Sequence, residues 1–139
     1  MKKRTKIPIK KKKRAITSLK KELWRYFATY IKHRDGFKCF TCNSFVSGHN
    51  AHAGHFVPSS LCGLGLRYDP MNVHCQCYKC NIYLSGNYVT YREKMVEKHG
   101  ESTVVELEQR RHKVFKDFDY DAEIQKYKLL CEKMGITVR

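Results

Sequence analysis

Two Cys-x-x-Cys pairs constrain this chain more than any other feature. CFTC (Cys39, Cys42) and CYKC (Cys77, Cys80) are separated by 34 residues. Each pair can turn two thiolates toward one metal ion, and two pairs complete a tetrahedral four-sulfur site for structural Zn2+. Cys75 competes for a place in that set, because Cys75-x-Cys77 also lies near the same centre; Cys62 and Cys131 are read as non-ligands. Seven cysteines in short paired spacings suit reduced thiols and metal ligands better than a disulfide framework. The expected compartment is therefore reducing, most simply the cytoplasm. A chain of 139 residues with 42% hydrophobic content builds only a modest core, which a metal would help to hold. The 34 intervening residues exceed an ordinary zinc-ribbon loop, so the zinc is expected to staple a working insertion.

The formal net charge of +15 points to a polyanionic partner, nucleic acid before an anionic membrane. No stretch reaches the ~20 apolar residues of a membrane span, and no apolar segment follows the basic N-terminus as a secretory signal would require. Residues 1–14 carry nine basic side chains and no acidic one. Such a run is expected to be disordered alone. Lys10, Lys11, Lys12, Lys13 and Arg14 serve it either as a phosphate-binding arm or as a solvated tail.

Periodicity assigns the remainder to an α+β fold, a single domain over 17–139. A helix over 18–34, capped by Thr17 or Ser18, carries Leu19, Leu23, Trp24, Phe27, Tyr30 and Ile31 as one apolar stripe. The zinc core spans 37–87: a turn at Ser47 to Asn50, a strand from Ala51 to Phe56, a loop from Pro58 to Arg67, a short strand from Asn72 to Gln76, and a helical turn from about Cys77 to Ser85. C-terminal helices over 88–135 begin at Asn87, at Ser102 or Thr103, and at Asp119 or Asp121. Their buried sides include Tyr91 and Met95, then Val104, Leu107 and Val114, then Ile124, Tyr127, Leu130, Cys131 and Met134.

The segment between the cysteine pairs holds residue types suited to phosphodiester hydrolysis. That reaction needs a base to take a proton from water and a cation to neutralise charge on the phosphate oxygens. His55 titrates near neutrality and suits the base. Asn72 suits holding that ring in one tautomer. Asn81, directly after the last zinc cysteine, offers an amide oxygen to a hard cation such as Mg2+ or Mn2+. Asn87, Tyr91 and Arg92 follow one turn later, as DNA contacts or as cap and core residues.

The motif GHF (Gly54 to Phe56) with N-x-x-x-x-C-x-x-C-N (Asn72 to Asn81) resembles the HNH, or ββα-metal, nucleases. YIKHRDGFKCFTC, HAGHF, LRYDPMNVHCQCYKCN and LSGNYVTYR resemble, in order and spacing, the NinG (Rap) family of phage recombination nucleases. The resemblance implies a zinc-stapled ββα-metal module among helices. It implies a structure-selective endonuclease acting on branched DNA such as Holliday junctions and D-loops. Resolving a four-way junction takes two cuts, which points to a homodimer. One departure stands out: many HNH enzymes carry a metal ligand just before the base histidine, and here that position is Gly54. On a strand, His52 would share its face and could supply the missing ligand. Two other readings stay open: a basic zinc ribbon that binds nucleic acid without cutting it, and an HNH nuclease on ordinary duplex DNA.

Overall fold

A computed structural model describes residues 14–111, 113 and 117–138 of the chain. Lys10 to Lys13 of the expected arm and Val114 lie outside the described residues. The elements form a small α+β arrangement. Helix α1 (Ile16–Arg34) comes first, and strand β1 (Ala51–His55) follows a short 3-10 turn at Gly48–Asn50. A one-turn helix α2 (Leu64–Arg67) and strand β2 (Val73–Cys77) come next, then a π-helical turn at Lys79–Tyr83. Helices α3 (Tyr88–His99), α4 (Glu101–Gln109) and α5 (Tyr120–Lys133) complete the chain. No helix among the described residues is long and apolar enough to cross a membrane.

The two strands pair antiparallel, with Ala51 opposite Cys77, Gly54 opposite His74 and His55 opposite Val73. Side chains alternate across the sheet, so Ala51, Ala53, Val73, Cys75 and Cys77 share one face and His52, Gly54, His74 and Gln76 the other. Ala53 and Val73 face a cluster built from Leu23, Phe27 and Ile31 of α1 and Ile124 and Tyr127 of α5. The Phe27 and Tyr127 rings meet edge to face at 4.9 Å. Beyond the C-terminal end of β1, Phe56 joins Val57, Leu66, Tyr91, Met95, Val104 and Leu107 in a second cluster with α3 and α4. A third, small cluster surrounds Cys39, Cys75, Cys77 and Cys80.

Several expected details shift. The segment Pro58 to Arg67 was expected as loop throughout, yet α2 forms there because Leu66 buries into the second cluster. Strand β2 starts one residue later than expected, since the Asn72 side chain turns back to bind the loop before it. The helical turn after Cys77 is π-helical, closed by the Leu84 amide donating to the Lys79 carbonyl (2.8 Å). Met134, expected inside, is 47% exposed because it caps α5 beyond the packed stripe. Helix α1 begins at Ile16 after Ala15 and has no side-chain cap from Thr17 or Ser18.

Candidate functional site

The four cysteines of the two pairs converge. Their sulfurs all lie within 4.8 Å of one another, and Cys42 Sγ stands 3.7 Å from Cys77 Sγ. A tetrahedron of sulfurs around zinc, with Zn–S near ~2.3 Å, has edges of about 3.8 Å. Donor chemistry and spacing both fit, so Cys39, Cys42, Cys77 and Cys80 can hold a zinc ion. Local hydrogen bonds shape the cradle. The Cys39 amide donates to the Ser44 carbonyl (2.7 Å), and Asn43 takes a left-handed φ of 64° to turn the first knuckle. The Phe40 amide donates to the Cys75 carbonyl (2.8 Å), tying that knuckle to β2. Burial disfavours the Cys39 thiolate, yet the Thr41 hydroxyl and the amides of Cys77, Cys42 and Thr41 outweigh it and lower the pKa. Cys75 is buried, with its thiol pushed up to about 11 by burial and by the nearby Asp35 carboxylate, and it lies outside the four-sulfur set.

His55 ends β1 and turns toward α1, where its ring stacks on Trp24 (centroids 5.4 Å apart, planes 14° apart). Its Nε2 lies 2.9 Å from the Arg67 carbonyl. A carbonyl only accepts, so Nε2 carries the proton and Nδ1 keeps its lone pair. Burial lowers the His55 pKa below the ordinary histidine value, while the Arg67 carbonyl opposes that shift. The ring is therefore neutral at pH 7.

Asn72 is fully buried and acts one step back from the place expected for it. Its Oδ1 accepts from the Val57 amide (2.8 Å), and its Nδ2 donates to the carbonyls of Val57 (3.2 Å) and Leu66 (3.1 Å). It thus clamps the chain on both sides of the β1–α2 loop. The carbonyl that orients His55 belongs to the next residue, Arg67. Asn72 was expected to touch the imidazole itself; backbone geometry does that work instead.

On the opposite face of the hairpin, His52 and Asn81 come together, with Asn81 Nδ2 3.1 Å from His52 Nδ1. His52 Nε2 lies 3.0 Å from the His49 carbonyl, which places the proton on Nε2 and makes Nδ1 an acceptor. Asn81 Nδ2 therefore donates to His52; with both ring nitrogens engaged, His52 is corrected from a cation ligand to the group that orients Asn81, and Asn81 Oδ1 points the other way. It points at Gly54: a Cβ built on Gly54 would stand 3.0 Å from Asn81 Oδ1 and 1.9 Å from Gln76 Oε1. Gln76 is fully buried, and Oε1 has no hydrogen-bond partner among the described residues. An unsatisfied buried acceptor costs about 1–3 kcal/mol. Amide oxygens are among the donors that a hard cation can take.

The DNA-contact candidates divide. Asn87 sits at the N-cap of α3 in a left-handed conformation, but its side chain makes no cap and donates to Cys80 Sγ (3.7 Å). Tyr91 is 1% exposed, and its hydroxyl donates to the Gly54 carbonyl (2.8 Å). As a DNA contact Tyr91 is corrected to a core residue, since its ring closes the second cluster. Arg92 is engaged by Glu108 (3.0 Å) and Glu101 (2.9 Å) of α4. Arg14 pairs with Glu22 and donates to Ser18 Oγ (3.0 Å). Trp24, Arg67 and Gln76 were missed as site residues. Gln76 alone left a trace, since position 76 alternates with Cys75 and Cys77 and so shares the face of His52 and Gly54 once the strands pair.

The family model described as Bacteriophage Lambda NinG protein matches residues 1–135. Protein ninG of Salmonella phage P22 is 36% identical over 87 residues, which cover 60% of this chain and 42% of that protein. Protein ninG of Escherichia phage 933W is 35% identical over 80 residues, or 57% of this chain and 39% of that protein. Protein ninG of Escherichia phage lambda is 34% identical over 80 residues, or 57% of this chain and 38% of that protein. The chain thus spans about two fifths of the length of the curated relatives it matches. No solved structure matches. Matched by the family model over nearly its whole length, the chain belongs to the NinG family.

Proposed function

We propose that this protein is a metal-dependent DNA endonuclease of the HNH type that cuts branched DNA. The observation that carries the reading is the succession along β1 of a glycine bordered by an amide oxygen on one face of the hairpin and a neutral imidazole on the other. His55 holds a neutral imidazole with a free Nδ1, and Asn81 Oδ1 lies 3.0 Å from the Cβ position of Gly54, the residue before it.

In this reading His55 Nδ1 takes the proton from the attacking water as general base. The Arg67 carbonyl keeps the ring in the required tautomer, and Asn72 fixes the loop that presents that carbonyl. Asn81 offers its oxygen to Mg2+ or Mn2+, with His52 holding the amide the right way round. Such a cation supplies charge neutralisation at the phosphate and the leaving oxygen. Zinc at the four cysteines fixes the frame. Support for DNA comes from the net charge of +15. Support for branched rather than fully paired DNA comes from Tyr83 (77% exposed) and Tyr78 (53% exposed) around the π-helical turn, where rings can stack on unpaired bases. The site of action would be the host cell interior, where recombining phage DNA resides.

The test is a gel assay on four-way, nicked and linear DNA at moderate salt, with and without Mg2+. Cleavage confined to branched substrates and dependent on Mg2+ is expected. His55→Ala is expected to lose at least ~100-fold in rate while still binding junctions. Native-rate cutting by His55→Ala would refute the role of the base. Junction binding with no cleavage of any substrate by the wild type would favour a non-catalytic zinc-ribbon binder, and equal cutting of linear duplex an ordinary duplex nuclease.

A further inference from the structure

We propose that the side-chain oxygen of Gln76 supplies the ligand that Gly54 lacks, so that a hard divalent cation is held between the amide oxygens of Gln76 and Asn81. This rests on the nuclease reading above and assigns its cation site a residue from the neighbouring strand.

The orientation of the Gln76 amide is fixed by what surrounds it. Nε2 donates to the Gly86 carbonyl (3.0 Å) and to Thr41 Oγ1 (3.2 Å). The Gly86 carbonyl can only accept, so the nitrogen must lie there and Oε1 must face Gly54. Oε1 is buried and has no partner among the described residues. Asn81 is oriented by independent means, through His52, and its Oδ1 faces the same point. Both oxygens thus border Gly54, and no donor among the described residues satisfies Gln76 Oε1. Their partial negative charges repel unless a positive group joins them. The oxygen-only, amide-type donor set suits Mg2+ or Mn2+.

The glycine is explained by the same geometry. Any side chain at position 54 would put its Cβ 1.9 Å from Gln76 Oε1. A ligand on β1 and a ligand reaching across from β2 therefore exclude each other, and this chain uses the second. Both oxygens are neutral, so the site lacks formal charge of its own. Affinity for free cation is then modest, and phosphate oxygens of the substrate complete the coordination.

The zinc-loaded wild-type protein, labelled with 15N, is titrated with Mg2+ while the side-chain amide signals of Gln76 and Asn81 are followed. Both are expected to move on one binding curve. If Asn81 moves and Gln76 does not, the proposal is overturned and the nuclease reading survives. If neither moves, as with water held between the oxygens, the cation site itself is refuted. A second measurement reads Mn2+ affinity by paramagnetic resonance, with zinc content checked in every sample. Gln76→Leu is expected to bind at least tenfold more weakly, and Gln76→Glu more tightly than wild type, because it keeps an oxygen and adds charge. An unchanged affinity in Gln76→Leu, or an equal loss in both variants, would overturn the assignment.

Discussion

His74 is the residue whose protonation the fold resists most strongly. Tyr91 gives its one hydroxyl proton to the Gly54 carbonyl, so His74 Nδ1 must donate to the Tyr91 oxygen at 3.0 Å. Its Nε2 then faces His99 Nε2 at 3.4 Å and accepts. The Phe40 ring stacks on the imidazole at 4.2 Å. Burial above all, then the positive charges of Arg34, Lys98 and His99, push the His74 pKa down to about 2. The unfolded chain takes up this proton near pH ~6.5, and the native state does not. Stability therefore falls as pH drops below that value, by up to about 1.4 kcal/mol per pH unit from this group alone. His55 and His99, also lowered chiefly by burial, act in the same direction. Urea midpoints measured from pH 7.5 to 5.5 are expected to decline, and the decline should be shallower in His74→Gln, although that variant starts lower. Equal slopes in the two proteins would rule out His74 as a source. At this scale the sequence marks side chains that act directly. The cysteine pairs, His55 and Asn81 stand out by type and spacing. Arg67 does not, because it acts through a carbonyl that every residue possesses. Gln76 does not, because its meaning depends on the register that sets it diagonally across from Gly54.

Among the elements, the join between α1 and β2 decides whether the hairpin stays in place. Arg34, the last residue of α1, pairs with Asp35 (2.7 Å) and donates to the carbonyls of Pro70 (2.7 Å) and Val73 (2.8 Å). Asp35 in turn accepts from the Cys75 amide (2.7 Å). A helix terminus thus grips the strand that carries Gln76 and leads to Asn81. Arg34→Met keeps much of the packing, leaves two carbonyls unpaired and strands the Asp35 carboxylate, whose side chain is only 9% exposed. The guanidinium is a quarter exposed, which moderates the loss to about 2–3 kcal/mol. Chemical denaturation checks this; a change below ~0.5 kcal/mol would mean that the join is solvated and weak. Helices of this chain are legible where apolar periodicity meets punctuation, as with Gly100 between α3 and α4, or Asp119, whose carboxylate accepts from the Ala122 amide (3.0 Å). The shape of short elements is not. Helix α2 exists because Leu66 finds a tertiary pocket, and the widened turn at Lys79–Tyr83 sits where Cys80 serves the metal set and Asn81 the hairpin face.

For the molecule as a whole, the question is what holds the cysteine end together. The two larger clusters are filled by aromatic and branched side chains, whereas the third consists of Cys39, Val46, Ala51, Cys75, Cys77 and Cys80 with Phe37 at its edge. Four sulfurs and two small aliphatic groups offer little apolar area. Among the described residues, one isolated bridge, Lys38 with Phe45, and a few backbone hydrogen bonds brace the first knuckle. A metal bound to the folded arrangement but poorly to the unfolded chain would supply the missing stabilisation directly. The rest of the domain depends on it through β2, because Cys77 ends the strand whose Val73 anchors the α1–α5 cluster and whose Gln76 faces the proposed cation. Removing zinc with a strong chelator at neutral pH is therefore expected to lower the thermal midpoint by roughly 10 °C or more, as a loss of a few kcal/mol does in a domain of this size. Hydrogen exchange should show where the loss begins. Amides of Cys39, Asn43 and Val46, bonded within the first knuckle, and those of Leu84 and Gly86, bonded across the π-helical turn, should lose protection first. Amides in the middle of α1 and α5 should keep more of theirs, since that cluster closes without the cysteines. Equal exchange at the first knuckle with and without zinc would mean that packing alone holds this end. The dependence of β2 on the metal would then have to be abandoned.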